Sequence, residues 1–375
     1  MGPAAPGPAR ARRGATASGR RGATASGRGG ATASGRGRTA RRLARAILPR
    51  LGSALLVMWL TATVVFFALR AAGDPLDAIM GGPGSQAGPE ATERAREAYG
   101  LDRPLLLQYL AQLWNTATLQ FGDSYARKQP VMDLLAANLP PTLLLATLAL
   151  VLAWALAVAG ALLASLGRGP VARLTRSALA GLETVASVTP QFFLGAVLIL
   201  VFATGFGILP ATSSGSSPAQ LILPVVTLAV PIAGYLAHVL HGSLDEARDA
   251  PFATTARARG ASESRVFLRH TLRHAALPAL ALSGWAYGSL LSGAVVVEAL
   301  FARQGLGRLL QEAATVRDVP VVIGSVVIIA LLYVVIMIVS DVLEAVIDPR
   351  LHGQADRRPD EPNRAGVAVA EGAGA

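Results

Sequence analysis

Few side chains in this 375-residue chain are of types that do chemistry, and their spacing argues against most of it. His270 and His274 stand one helical turn apart, a spacing that can seat a metal ion. Arg269 and Arg273 flank them and no third ligand is evident, so they read as ordinary helix-surface histidines, as do His238 and His241. The one lysine, Lys128, lacks the glycine spacing of a phosphate-binding loop, and a Walker-type ATPase needs such a lysine on its phosphates. Neither a G-x-S-x-G elbow nor an H-E-x-x-H pair occurs. Gly81–Gly84, with Pro83, reads as a turn rather than an anion cradle. The expectation is a chain with no catalytic residue, no metal ligand and no bound cofactor. The absence of cysteine excludes disulfides and thiolate sites.

What the chain carries instead is arginine in a structured setting. Residues 241–277 hold Arg248, Arg257, Arg259, Arg265, Arg269 and Arg273 between two apolar runs. Glu246 to Arg259 reads as one helix, with Glu246 and Asp249 in its first turn where the dipole favours negative charge, and Pro251 tolerated near that start. Gly260 follows as a C-terminal glycine, and Ser262 can cap a second helix running to about Ala276. On that second helix Arg265, Arg269 and Arg273 fall four apart and share a face. Phe267, with Val266, lies off the stripe and could insert in a partner's groove. A helix lying on lipid headgroups also wants arginines and an apolar side, and periodicity leaves the two readings nearly even.

The rest of the chain is apolar. It is 52% hydrophobic and 15% charged, where soluble domains approach ~25% charged. The net charge of +11 is no nucleic-acid signature, because residues 1–50 hold twelve arginines and no acid, leaving 22 basic against 23 acidic residues elsewhere. Residues 1–46 read as a disordered tail built on an RGATASGR repeat at 13–20 and 21–28, varied to GGATASGR at 29–36. It is either a polybasic arm for anionic headgroups or a low-complexity extension ahead of the true start. No small-residue cleavage site of a signal peptide follows the apolar run at 51–69.

Six segments are long enough to cross ~30 Å of hydrocarbon: 51–69, 142–166, 184–205, 221–240, 277–297 and 319–340. Pro224, Pro231 and Gly234 interrupt the fourth. Basic residues concentrate in the tail, in 167–177, in 241–277 and after 349; that is 25 of 34, and the positive-inside rule makes both termini cytoplasmic. The domain reading is the tail at 1–46, a first transmembrane helix at 47–70, an extracytoplasmic region at 71–138, a membrane core at 139–347 and a cytoplasmic extension at 348–375. Within 71–138, helices are expected around Thr92–Tyr99 and Leu105–Trp114. No basic residue lies inside a span, and Glu183, Glu298, Asp341 and Glu344 lie only near span ends. Ion-coupled carriers bury ionisable groups near the midplane, so the pathway reads as passive.

The stretch 246–278, EARDAPFATTARARGASESRVFLRHTLRHAALP, resembles the EAA coupling loop of ABC importer permeases. Its acidic start is Glu246, its centre Ala256-Arg257-Ala258-Arg259-Gly260, and its end Leu277-Pro278. Collinear flanks make the chain similar to the dipeptide/oligopeptide and nickel permeases of first-subunit type: AAGDP at 71–75, YGLDRPLLLQYL at 99–110, FGDSY at 121–125, TPQFFLG at 189–195, LILPVVTL at 221–228, SGAVVVEALF at 292–301, GLGRLL at 305–310, RDVPVV at 317–322 and DPRL at 348–351. His274 stands where that family usually has Asn, and Gln304 replaces the Pro before Gly305.

The resemblance implies an all-α integral membrane protein of six transmembrane helices, with a type I importer (MetI-like) permease core and an extracytoplasmic domain between its first two spans. It implies a permease subunit of the cell membrane forming half of a translocation path for peptides, or else for nickel or another small solute. The implied partners are a second homologous permease, two cytoplasmic ABC ATPase subunits that use the ATP, an extracytoplasmic substrate-binding protein and the lipid bilayer, with no nucleic acid. It implies coupling residues at Glu246, Ala256, Arg257, Arg259, Gly260, Arg265, Leu277 and Pro278.

Overall fold

The computed structural model describes residues 52–53, 55–68, 70–71, 73, 76, 79–80, 88–165, 169–215 and 217–347. The tail at 1–46, the Gly81–Gly84 turn, the DPRL segment and the extension 348–375 lie outside the described residues. Apart from one isolated bridge between Asp123 and Pro130, the regular elements described are helices. They are α1 (Leu55–Ala68), α2 (Pro89–Ala98), α3 (Leu105–Ala117), α4 (Val131–Ser165) and α5 (Pro170–Val188). Next come α6 (Gln191–Leu198), continued by a π-helical stretch Ile199–Gly205, and the long α7 (Ala219–Asp249). Then follow α8 (Pro251–Ala258), α9 (Glu263–Val266), a π-helical stretch Phe267–Thr271 and α10 (Leu272–Ala281). The order closes with α11 (Ser283–Leu300), α12 (Leu306–Thr315) and α13 (Val319–Ile347).

Helices α4 and α7 form the centre. On α4 the buried positions Leu145, Ala146, Ala149, Ala153 and Ala157 recur every three or four residues, so one narrow stripe of small side chains faces inward. Small residues let helix backbones approach closely where lipid supplies no hydrophobic drive between helices. Helix α7 answers with Leu228, Ala229, Ile232, Ala233, Leu236 and Ala237, and α11 adds Leu290, Leu291, Ala294 and Val297. At Gly234 a β-carbon would lie 2.5 Å from the Glu183 carbonyl oxygen and 2.9 Å from the Ser187 nitrogen, so α5 crosses α7 at backbone contact.

A second core gathers at the N-terminal end of α4, where Phe121, Val131, Leu135, Leu306, Leu309, Ile323 and Val327 pack with Met58 of α1. Buried Asp318 organises this end. It accepts from Ser124 Oγ at 2.5 Å and from the backbone nitrogens of Tyr125 and Ala126 at 3.1 Å. Two motifs far apart in the chain, FGDSY and RDVPVV, thus meet through one carboxylate.

Three described helices are long and apolar enough to cross a membrane, Val131–Ala164, Ala219–Asp249 and Val319–Ser340; counting each bent pair as one span gives up to five. Leu55–Ala68 is apolar but shorter. Three expectations need correction. The segment 184–205 is not one straight helix: it breaks at Thr189-Pro190 and turns through 106°, because proline cannot continue the hydrogen-bond ladder and pushes its predecessor into extended geometry. The segment 277–297 bends by 49° near Leu282, a turn after Pro278. The fourth segment does not stop at 240 but runs on as helix to Asp249, with Pro224 and Pro231 buried inside it.

Candidate coupling surface

The arginine-rich stretch folds as a compact helix–turn–helix hung from the end of α7. The expected single helix from Glu246 to Arg259 is split, since Ala250 takes extended geometry (φ −66°, ψ 148°) ahead of Pro251, which opens α8 as its first residue. Helix α8 closes as expected at Gly260, whose φ of +79° lies in the left-handed region. The Gly260 nitrogen donates to the Arg257 carbonyl at 2.9 Å and the Ala261 nitrogen to the Ala256 carbonyl at 3.1 Å, the paired bonds of a Schellman turn. Ser262 occupies the N-cap of α9 in extended geometry, but its side chain makes no capping bond.

Arg257 ties the element together. Its Nη1 donates to the Arg248 carbonyl at 3.0 Å and its Nε lies 3.3 Å from the Glu263 carboxylate. One guanidinium therefore joins the last turn of α7 to the first turn of α9. Phe252 of α8 stacks on the His274 ring of α10, with centroids 4.7 Å apart.

The two faces of the element have opposite characters. Val266 and Phe267 are buried, against the expectation that they would offer an anchor to a partner. Phe267 packs with Ala161 of α4, Leu240 and Leu244 of α7, and Ala275. Three or four residues per turn fix which residues share a face, but not which neighbour covers that face. Arg259, Gly260, Arg265, Arg269 and Arg273 are exposed, as is the apolar Leu268. Glu246 is exposed on α7, Ala256 and Leu277 are half-buried, and Pro278 is exposed inside α10. The arginine stripe, Gly260 and Glu246 are thus exposed, whereas Ala256, Arg257 and Leu277 are half-buried.

Two carboxylates near span ends, Glu183 and Glu298, have partners that the sequence does not show. His241 is no helix-surface histidine: its Nδ1 lies 3.0 Å from Glu183 Oε2, where α5 crosses α7. Glu298, fully buried on α11, accepts from Thr142 Oγ1 at 2.6 Å and from the Gly307 and Arg308 nitrogens at 2.8 and 3.2 Å. Thr142 in turn accepts from the Leu306 nitrogen at 2.8 Å. A side chain from α11 therefore caps the start of α12. A β-carbon at Gly305 would collide with that carboxyl, and one at Gly307 with the Val295 backbone. The closely spaced glycines after a lone acid were the available signal.

Residues 166–353 match the family described as the binding-protein-dependent transport system inner membrane component, and residues 43–146 match the N-terminal part of such membrane components. The chain is 34% identical over 321 residues to a putative peptide transport system permease protein of Brucella suis, covering 82% of this chain and 98% of that relative. It is 33% identical over 308 residues to the glutathione transport system permease protein GsiC of Escherichia coli, covering 81% and 98% respectively. Among solved structures, an inward-facing MetNI methionine ABC transporter is 20% identical, with a TM-score of 0.46 over 58% of this chain and 97% of that one.

Proposed function

The chain belongs to the binding-protein-dependent transport system inner membrane components, the permease subunits of ABC importers, and we propose that its Pro251–Ala281 element is the surface through which cytoplasmic ATPase subunits drive a peptide pathway. Relatives named for peptide and glutathione transport support peptides as the cargo. Six spans follow if α1, α4, the α5–α6 pair, α7, the α10–α11 pair and α13 each cross once. Both termini and the arginine-rich element then face the cytoplasm of a cell-membrane protein, and α2, α3 and the 121–130 loop face outward.

The observation that carries the reading is the division of faces. Phe267, Leu272 and Ala275 fasten the element to α4 and α7, and Gly260 and the arginines of the stripe are exposed. A push or pull on the exposed side therefore reaches two central helices directly. Arg257 keeps the element from flexing internally. In this reading Glu246, Ala256, Arg257, Arg259, Gly260, Arg265, Leu277 and Pro278 constitute the coupling surface and its supports. Two ATPase subunits consume the ATP, a second homologous permease completes the pathway, and an extracytoplasmic binding protein delivers peptide. This chain binds no cofactor of its own.

The test is purification in mild detergent followed by reconstitution into proteoliposomes. Two ATPases and a second permease should copurify, and peptide uptake should require both ATP and the binding protein. Solute movement by this chain alone, without nucleotide, would overturn the proposal.

A further inference from the structure

Helix α3 is amphipathic the wrong way round for a helix in water. Its polar residues Gln108, Gln112, Asn115 and Thr116 line one face, and that face turns toward the protein. Thr116 is buried, and Gln108 Nε2 donates to the carbonyls of Leu101 and Arg103 at 3.2 and 2.6 Å while its Oε1 accepts from Arg70. Gln108, Gln112 and Asn115 border a cleft whose far wall includes Tyr125, Val319 and Pro320. The outward side is apolar: Leu106, Leu110 and Trp114, four residues apart, are 66%, 50% and 69% exposed. A helix beside water turns its leucines in and its glutamines out. The opposite arrangement means that the medium beyond Leu106, Leu110 and Trp114 is not water.

We propose that α3 lies in the headgroup region of the bilayer, on the side where α1 ends, with Leu106, Leu110 and Trp114 set among lipid acyl chains. The continuity of this face with α1 favours lipid over a protein partner. Tyr109 shares a hydrogen bond with Thr63 at 2.8 Å and packs on Phe66 and Phe67, ring centroids 5.6 and 5.7 Å away. Just there α1 itself exposes Leu60, Val64 and Phe67, so the leucines of α3 extend one apolar surface. Leu105–Ala117 contains no charged residue, whereas a docking face for a soluble protein carries a polar rim. Tryptophan at the end of such a face is the residue that settles at a membrane–water boundary, and Arg103 stands just ahead of the helix.

The absence of cysteine makes the test direct. Single nitroxide labels at Leu106→Cys, Leu110→Cys and Trp114→Cys are read in the full complex, in phosphatidylethanolamine/phosphatidylglycerol vesicles, with an Arg103→Cys reference. Oxygen collisions should exceed collisions with a water-soluble nickel chelate severalfold at the three apolar sites, and the ratio should invert at Arg103. Adding the binding protein should change neither. Nickel access at the apolar sites would overturn the proposal, as would loss of access to both reagents, the sign of a protein–protein contact. In the unmodified complex, a photoactivatable phosphatidylethanolamine should label the Leu105–Ala117 peptide. Labelling of α1 without α3 would equally sink the idea.

Discussion

Arg257 Nη1 donates to the carbonyl of Arg248 at 3.0 Å, so a side chain from α8 satisfies one of the carbonyls that α7 leaves open at its end. The same guanidinium faces Glu263 at 3.3 Å. Since this side chain is partly exposed, Arg257→Ala should lower stability by less than about 1 kcal/mol. ATP-driven uptake should fall far more, because α8, α7 and α9 would no longer move as one body. Arg257→Lys should be intermediate, as one ammonium cannot hold both partners in the planar geometry of a guanidinium. Thermal unfolding in detergent, run beside proteoliposome uptake, separates the two effects. Uptake that simply tracks stability would refute the role given to Arg257.

Gly260 has φ of +79° and no atom near where its β-carbon would be, so backbone conformation alone selects glycine. Left-handed geometry costs an ordinary residue roughly 1–2 kcal/mol, and valine is worse still through its branching. Gly260→Val should leave membrane insertion and abundance normal while abolishing uptake and the coupled ATP hydrolysis. Gly260→Asn, which tolerates this region, should retain part of both. Normal uptake by the valine variant would show that the turn is not the coupling device.

That turn was legible because its signal is local: a glycine just past a helical run, with the closing bonds supplied by its neighbours. The helices at Pro89–Ala98 and Leu105–Ala117 were legible for the same reason. The break before Pro251 has a local signal too, but a proline near a helix start fits one continuing helix as well as a new one, and here it begins a new one. Phe267 was not legible, since its cover comes from α4 and α7, more than twenty residues away in the chain. Nor were Glu183–His241 and Glu298–Thr142, pairs that exist only because helices cross. Thr189-Pro190 announced a break, but nothing in the dipeptide encodes a turn of 106°.

Phe267 therefore belongs to the fold rather than to the docking face. Truncation should leave a cavity among Ala161, Leu240, Leu244 and Ala275. Phe267→Ala should destabilise by about 3 kcal/mol. Leu268→Ala, at an exposed position, should cost well under 1 kcal/mol. Comparison of their unfolding midpoints decides the matter: equal values would return Phe267 to the surface.

Tyr125 titrates late. Burial, with the Asp318 carboxylate adding to it, pushes the phenol from its usual 10 to about 12. A group with its pKa raised in the folded state favours folding fully below the unfolded pKa and loses that contribution as pH rises through the folded one. The alkaline loss should therefore fall between pH ~10 and about 12 and be on the order of 2–3 kcal/mol. Phenolate absorbance should show one late-titrating tyrosine that Tyr125→Phe removes, and the variant should lose less stability across that window. An unchanged tyrosine titration in the variant would contradict this.

Glu298 offers the sharpest contrast between substitutions. Its carboxylate, fully buried, receives three donors, Thr142 Oγ1 and the nitrogens of Gly307 and Arg308. Glu298→Ala would leave these donors facing a void. Each buried unmet donor costs ~1–3 kcal/mol, so a loss of at least about 3 kcal/mol is expected, with α12 released from α11. Glu298→Gln keeps an oxygen for the two nitrogens and exchanges only the Thr142 bond, whose hydroxyl can turn to accept instead, so a cost near 1 kcal/mol is expected. Gly305→Ala should resemble Glu298→Ala, because its methyl would displace the carboxyl from the same donors. Hydrogen exchange at the Gly307 and Arg308 amides reports the cap directly: fast in the alanine variants, slow in the glutamine one. If the alanine and glutamine variants at Glu298 prove equally stable, the carboxylate does not hold α12 in place.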